Sequence, residues 1–250
     1  MDSHQPLSDP AIAYRYAAVE QRIVAAAAKA GRERSELELI VVSKFHPASL
    51  VLDLLKLGQR SFGENKDQEA KPKFEEVRAA LATEPALAAL PNPVVHFVGQ
   101  LQSNKAKSVL RYCQAIHSLD RESLLKALAT ARQTEEFLAL PATGVFIELN
   151  LTDNPERGGI APTDVVAFAE RVLEVGGLNL LGVMGVASLE SQPERDFETI
   201  ARASQAVAQL KPEAKFISAG MSGDFETAIG YGATHLRIGT AITGERNYLA

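Results

Sequence analysis

The chain has 250 residues, 46% hydrophobic and 23% charged, with a formal net charge of -5. That size fits one α/β domain with a large core, and the acidic balance argues against a general attraction to nucleic acid or anionic membranes. The single cysteine, Cys113, excludes an intrachain disulfide and any multi-cysteine metal site, and it reads as a bland, partly buried thiol in a reducing compartment.

Residues 1–10 are polar rather than basic and then apolar, so they do not resemble a signal peptide and are expected to be flexible. No apolar run approaches membrane-spanning length, and a soluble, cytoplasmic protein is expected. Segment 12–30 is alanine-rich, has a helical pattern and stops at Gly31. Residues 37–43 contain the continuous apolar run of a strand buried on both faces, and Pro47 opens a helix through about Leu57. The unit then recurs. Strands are expected at 61–65, 94–99, 115–119, 145–150, 180–186, 216–219 and 235–238. The helices between them include 67–82, 104–112, a helix 121–133 capped by Asp120, and a short one from Asp224. Lys71, Lys73, Lys105 and Lys107 read as solvated helix faces. Eight strands alternating with helices, without a glycine-rich first turn, predict a single (β/α)8 TIM barrel over residues 1–250 with an extra N-terminal helix.

In such barrels reactive residues gather at the C-terminal ends of the strands. Lys44 follows the first strand directly. It reads either as a solvated rim charge or as an amine that attacks carbonyl carbon. Asn65, at the end of strand two, can bond a polar ligand without adding charge, or simply make a turn. His96 lies inside strand three and reads as a core histidine, with no spaced partner to make it a metal ligand. The clearest signal lies in Ser218-Ala219-Gly220-Met221-Ser222 and Arg237-Ile238-Gly239-Thr240. Glycine N–H groups at a strand-to-helix junction bind phosphate, and barrels often do so after strands seven and eight.

These segments, with Val42-Ser43-Lys44, Phe62-Gly63-Glu64-Asn65 and His96-Phe97-Val98-Gly99, resemble the pyridoxal phosphate homeostasis protein (YggS/PROSC) family in order along residues 36–246. The resemblance implies a fold-type III barrel like the N-terminal domain of alanine racemase, with pyridoxal 5'-phosphate as cofactor. It implies a Schiff base on Lys44, Asn65 beside the ring, Met184 flanking it, and Arg237 at the pyridine nitrogen. Ser218, Gly239 and Thr240 fall where the family binds phosphate, and Met221 belongs to the same loop. The implied role is intracellular homeostasis of the cofactor, by buffering and delivery to pyridoxal phosphate-dependent apoenzymes. The chain length, with no room for the racemases' second domain, favours a monomer, and the acidic charge and absence of a long apolar run argue against a nucleic acid or membrane partner.

Guanidinium can only donate to the pyridine nitrogen, which weakens the ring as an electron sink. Racemases of this fold draw a tyrosine base from a second domain, whereas this chain ends at Ala250, and Tyr14, Tyr16, Tyr112, Tyr231 and Tyr248 lie outside the strand-end motifs. Robust catalysis is therefore not expected. The alternatives are an amino-acid racemase or related enzyme of the same fold, and a Schiff-base aldolase that uses Lys44 without the cofactor. Phe45-His46-Pro47, Arg157-Gly158-Gly159 and Ala187-Ser188-Leu189-Glu190 depart from the family pattern at the rim.

Overall fold

Eight parallel strands close into a barrel in chain order: β1 (Glu38–Val42), β2 (Ser61–Glu64), β3 (Val94–Phe97), β4 (Ala115–Leu119), β5 (Thr143–Glu148), β6 (Leu178–Met184), β7 (Phe216–Ser218) and β8 (His235–Ile238). β8 returns to pair with β1, Ile40 lying opposite Arg237. The helices are α1 (Ala11–Lys29), α2 (Ala48–Lys56), α3 (Asp67–Thr83), α4 (Ala106–Val109) and α5 (Glu122–Arg132). They continue as α6 (Glu135–Leu138), α7 (Val165–Leu173), α8 (Pro193–Leu210), α9 (Phe225–Gly230) and α10 (Thr240–Thr243). This computed structural model describes residues 7, 9–152, 154, 157–188 and 193–244. Tyr248 and the Leu189-Glu190 part of the sixth loop lie outside the described residues. Among the described residues no helix is long and apolar enough to cross a membrane.

The apolar run of β1 is buried along its middle because helices cover its outer face while its inner face lines the barrel. The extra helix α1 packs on α9 and α10, and Arg32 donates to the carbonyls of Ile229 and Ala233 just beyond it. Those carbonyls lie at the end of α9, where a cation is favourable.

The barrel interior departs from the branched aliphatic filling usual for this fold. The rings of His117 and Phe146 stack with centroids 4.4 Å apart, and His235 meets Phe146 at 5.0 Å. β5 and β8 are not neighbours, so the His235–Phe146 contact crosses the barrel and places these rings inside it. His96 joins them 5.1 Å from His117. Expected to be a core histidine, His96 is one, as Cys113 is a buried thiol.

One glycine sets the register. Gly182 has φ +151°, and a Cβ there would fall 1.9 Å from the carbonyl oxygen of Phe216, at the shift between β5 and β6. Gly182→Ala is therefore expected to cost about 3 kcal/mol or more, because the clash is with backbone that cannot step aside. Urea unfolding followed by circular dichroism measures it.

Several expectations need correction. Lys73 is not solvated: it is 6% exposed and its ammonium lies 2.6 Å from Glu64 Oε1. Lys71, at the surface near Glu75, behaves as expected. The helix foreseen over 104–112 is shorter, a 3-10 turn at Ser103–Lys105 followed by α4. Asp120 does not cap α5. Arg121 holds the cap position without a side-chain bond, while the Asp120 carboxylate accepts from Arg121 and Gln100.

Candidate functional site

The C-terminal ends of the strands bring together Lys44, Asn65, Glu148, Met184 and Arg237 with the loops after β7 and β8. Lys44 heads the turn that leaves β1 and is half-buried. Among the described residues its Nζ has no hydrogen bond or ion pair, and its aromatic neighbour is the Phe45 ring, 5.9 Å away. Beside it on the next strand, Asn65 buries Oδ1 with no hydrogen-bond partner. Gly99 makes this packing possible, since a Cβ there would meet the Asn65 backbone and Cβ at 2.6–2.7 Å. An unpaired buried amide atom in a barrel mouth is a group left for a ligand to satisfy.

Arg237 is 5% exposed on β8. It donates to Ser218 Oγ at 2.6 Å and to the Gly185 carbonyl at 2.9 Å, which leaves further N–H groups uncommitted by those two bonds. Burial lowers its pKa to about 10, against the attraction of Glu148 and Asp224, so it stays charged at neutral pH. Behind it the polar row continues. Ser218 Oγ lies 2.7 Å from His117 Nδ1, and His117 Nε2 lies 2.9 Å from His96 Nδ1. The arrangement leaving fewest groups unpaired runs one way: Arg237 donates to Ser218, Ser218 to His117, and His117 to His96. Both imidazoles are then neutral with the proton on Nε2, and His96 Nε2 is the buried atom left without a partner. Burial holds His96 to a pKa of about 3, and burial followed by His96 holds His117 well below its ordinary value.

The expectation for Ser218 is thereby revised. Its hydroxyl is wholly buried and spent on Arg237 and His117. The mouth-facing hydroxyl of that loop is Ser222, half-buried and 3.4 Å from the Ala241 amide across the gap to α10. Met221 gives its N–H to Asp224 at 2.6 Å, so that donor is taken. Gly239 and Thr240 open α10, where the first N–H groups of a helix have no partner within it. Met184 ends β6 almost fully buried, paired in register with Glu148 and Ser218. Ser222 stood in the sequence motif, and only the fold shows that its hydroxyl faces the Ala241 amide while that of Ser218 is turned to Arg237 and His117.

Glu148, at the end of β5, went unnoticed in the sequence. Burial, and then repulsion from Asp120, raise its pKa to about 7, against the attraction of Arg237, Arg121 and Arg157. It lines a 220 Å³ cavity with Gln100, Asn150 and Arg157 at one side of the mouth. The Arg157-Gly158-Gly159 departure belongs to this rim, where the Asn150 side chain donates to the Arg157 carbonyl at 2.8 Å. Among the described residues no group of His, Cys, Asp and Glu is placed to hold a metal ion, the three barrel histidines included. Tyr14 and Tyr16 lie on α1, while Tyr112 and Tyr231 follow α4 and α9, none of them at the end of a strand.

Residues 15–247 match the family model described as alanine racemase, N-terminal domain, which defines the class of this barrel. The pyridoxal phosphate homeostasis protein of Escherichia coli strain K12 is 37% identical over 240 residues, covering 95% of this chain and 97% of that one. Its counterpart in Mycobacterium tuberculosis strain H37Rv is 35% identical over 249 residues, 98% and 96% of the two chains. PipY of Synechococcus elongatus PCC7942, solved with PLP bound, superposes with a TM-score of 0.76 at 28% identity, covering 93% of this chain and all of PipY. Alanine racemase of Corynebacterium glutamicum, at 14% identity and a TM-score of 0.64, shares the fold, and the match covers 62% of that enzyme. The chain belongs to the pyridoxal phosphate homeostasis protein family.

Proposed function

We propose that this chain binds pyridoxal 5'-phosphate at the barrel mouth, through a Schiff-base link to Lys44, and serves the cell's handling of that cofactor by buffering and delivery. The observation that carries the reading is one mouth holding three groups the cofactor requires. They are an unpaired lysine amine, an arginine with donors to spare and an unpaired amide oxygen, at the same end of the barrel as the loop after β8, which offers helix-start N–H groups. When bound, pyridoxal 5'-phosphate supplies an aldehyde that a lysine amine takes up reversibly with loss of water.

Each residue has a definable task. Lys44 supplies the amine. Ser222, Gly239 and Thr240 would hold the phosphate, and Arg237 would donate to the pyridine nitrogen. Ser218 holds that arginine in place with His117 behind it, so Ser218 serves the site without touching the phosphate. Asn65 would bond a ring substituent, while Met184 would pack against the ring. Because guanidinium stays protonated, the ring nitrogen would receive a hydrogen bond but no proton, which favours storage of the aldehyde over carbanion chemistry.

Titration of the full chain with pyridoxal 5'-phosphate tests this reading. The wild type is expected to develop a visible absorption band that borohydride abolishes, and Lys44→Ala is expected to show neither. An undiminished band in Lys44→Ala removes the assignment. Deuterium exchange at the α-carbon of free amino acids, at about 1 per second or faster, would instead place the chain among amino-acid racemases.

A further inference from the structure

The turn that presents Lys44 is strained and externally held. Phe45 has φ +66°, the one non-glycine residue with positive φ among the described residues. A side chain with a Cβ disfavours that left-handed conformation, so something outside the turn must impose it. Two residues one helical turn apart on α3 supply the restraint. Glu69 accepts the Phe45 N–H through Oε1. Lys73 donates to the Ser43 carbonyl at 2.8 Å, an oxygen that also accepts the His46 N–H at 3.1 Å.

Beneath them Glu64, with a wholly buried side chain, fixes the ammonium of Lys73 at 2.6 Å and accepts the Ser43 hydroxyl at 2.8 Å. Both neighbours of Lys44 are therefore tied to one cluster of three side chains: the Ser43 carbonyl by Lys73 and its hydroxyl by Glu64, the Phe45 N–H by Glu69. Burying a full ion pair is costly in itself, and here one carboxylate oxygen of Glu64 has no hydrogen-bond partner. A cluster that buries charge at a cost, while touching both neighbours of the site amine, is built to position that amine.

We infer that Glu69, Lys73 and Glu64 form a positioning clamp that holds the Ser43–His46 turn and so sets how firmly Lys44 retains pyridoxal 5'-phosphate. The inference rests on the assignment of Lys44 made above. It concerns residues that act on Lys44 through its two neighbours, Ser43 and Phe45.

The test uses the full chain, titrated with pyridoxal 5'-phosphate, reading the visible band and the apparent Kd alongside the thermal midpoint. Glu69 is only partly buried, so Glu69→Ala is expected to fold with a midpoint within about 4 °C of wild type. Its apparent Kd should nonetheless rise roughly tenfold, the effect of one lost charge-assisted hydrogen bond. Glu69→Gln keeps an oxygen acceptor for the Phe45 N–H and should return the Kd to within about threefold of wild type. The paired variant Glu64→Gln with Lys73→Met, which strands no charge, should also weaken retention.

Wild-type Kd values in both Glu69→Ala and the paired variant overturn the clamp. A loss in Glu69→Gln as large as in Glu69→Ala overturns the backbone-acceptor role. A Lys44→Ala protein that keeps the band points to failure of the underlying assignment, not of the clamp alone.

Discussion

Lys73→Met is expected to lower folding stability by about 3–5 kcal/mol, measured as the shift of the urea midpoint multiplied by an unchanged m value. Lys73 and Glu64 form an ion pair with side chains 5% and 0% exposed, so removing the cation leaves a carboxylate that water cannot reach. Burial already raises the Glu64 pKa even with Lys73 beside it; desolvation outweighs the pair's attraction. Without Lys73 the carboxyl takes up a proton more readily still. The folded variant then binds more protons than the unfolded chain, and its deficit should shrink as pH falls towards the ordinary carboxylate range. Adding Glu64→Gln should recover most of the loss, because a neutral pair of similar volume carries no stranded charge. A cost below about 1 kcal/mol for Lys73→Met would mean that the pair is hydrated in solution.

The second large effect is acid sensitivity. Burial holds His96 to a pKa of about 3 and His235 to about 4, and puts His117 well below its ordinary value. Unfolded histidine titrates near ~6.5, so between that value and ~4 the unfolded chain gains up to about three protons that the folded barrel refuses. Glu148, raised to about 7, works in the opposite sense over the same range, since its folded form holds the proton, and the upward shift of Glu64 by burial acts in the same direction as that of Glu148. The three histidines outnumber the carboxyls that oppose them, so on balance protons are taken up on unfolding. Stability should therefore fall as pH drops below about 6.5, by roughly 1.4 kcal/mol per pH unit for each net proton, until about pH 4. Urea midpoints from pH 7 to 4.5 measure the slope. His117→Phe should flatten it, provided the ring fills the same space.

The barrel and its order could be read from the chain because β1 holds a continuous apolar run and the alternation of short strand and longer helix recurs after it, even where a strand such as β2 carries polar residues. The placement of Lys44 and of the loops of Gly220-Met221-Ser222 and Gly239-Thr240 at strand ends was equally legible, since it follows from the same strand pattern. What escaped was whatever depends on a distant partner. Lys73 looks like any lysine on a charged helix until Glu64 and the Ser43 carbonyl come to face it across 9 and 30 residues of sequence. Ser218 carries the same hydroxyl as Ser222, and only the fold shows that Arg237 and His117 consume it. His117 gave no signal, because a lone histidine within Ala115-Ile116-His117-Ser118-Leu119 does not reveal that His96 and His235 share the barrel interior. Asp120, a strong cap candidate by residue type, is drawn off by Arg121 and Gln100.

The account depends above all on where the cofactor is attached. Peptide mapping by mass spectrometry after borohydride reduction of the pyridoxal 5'-phosphate-loaded protein tests this directly. The account predicts the reduced adduct on Lys44, at close to one per chain. An adduct on Lys66 or another lysine with Lys44 unmodified would contradict it.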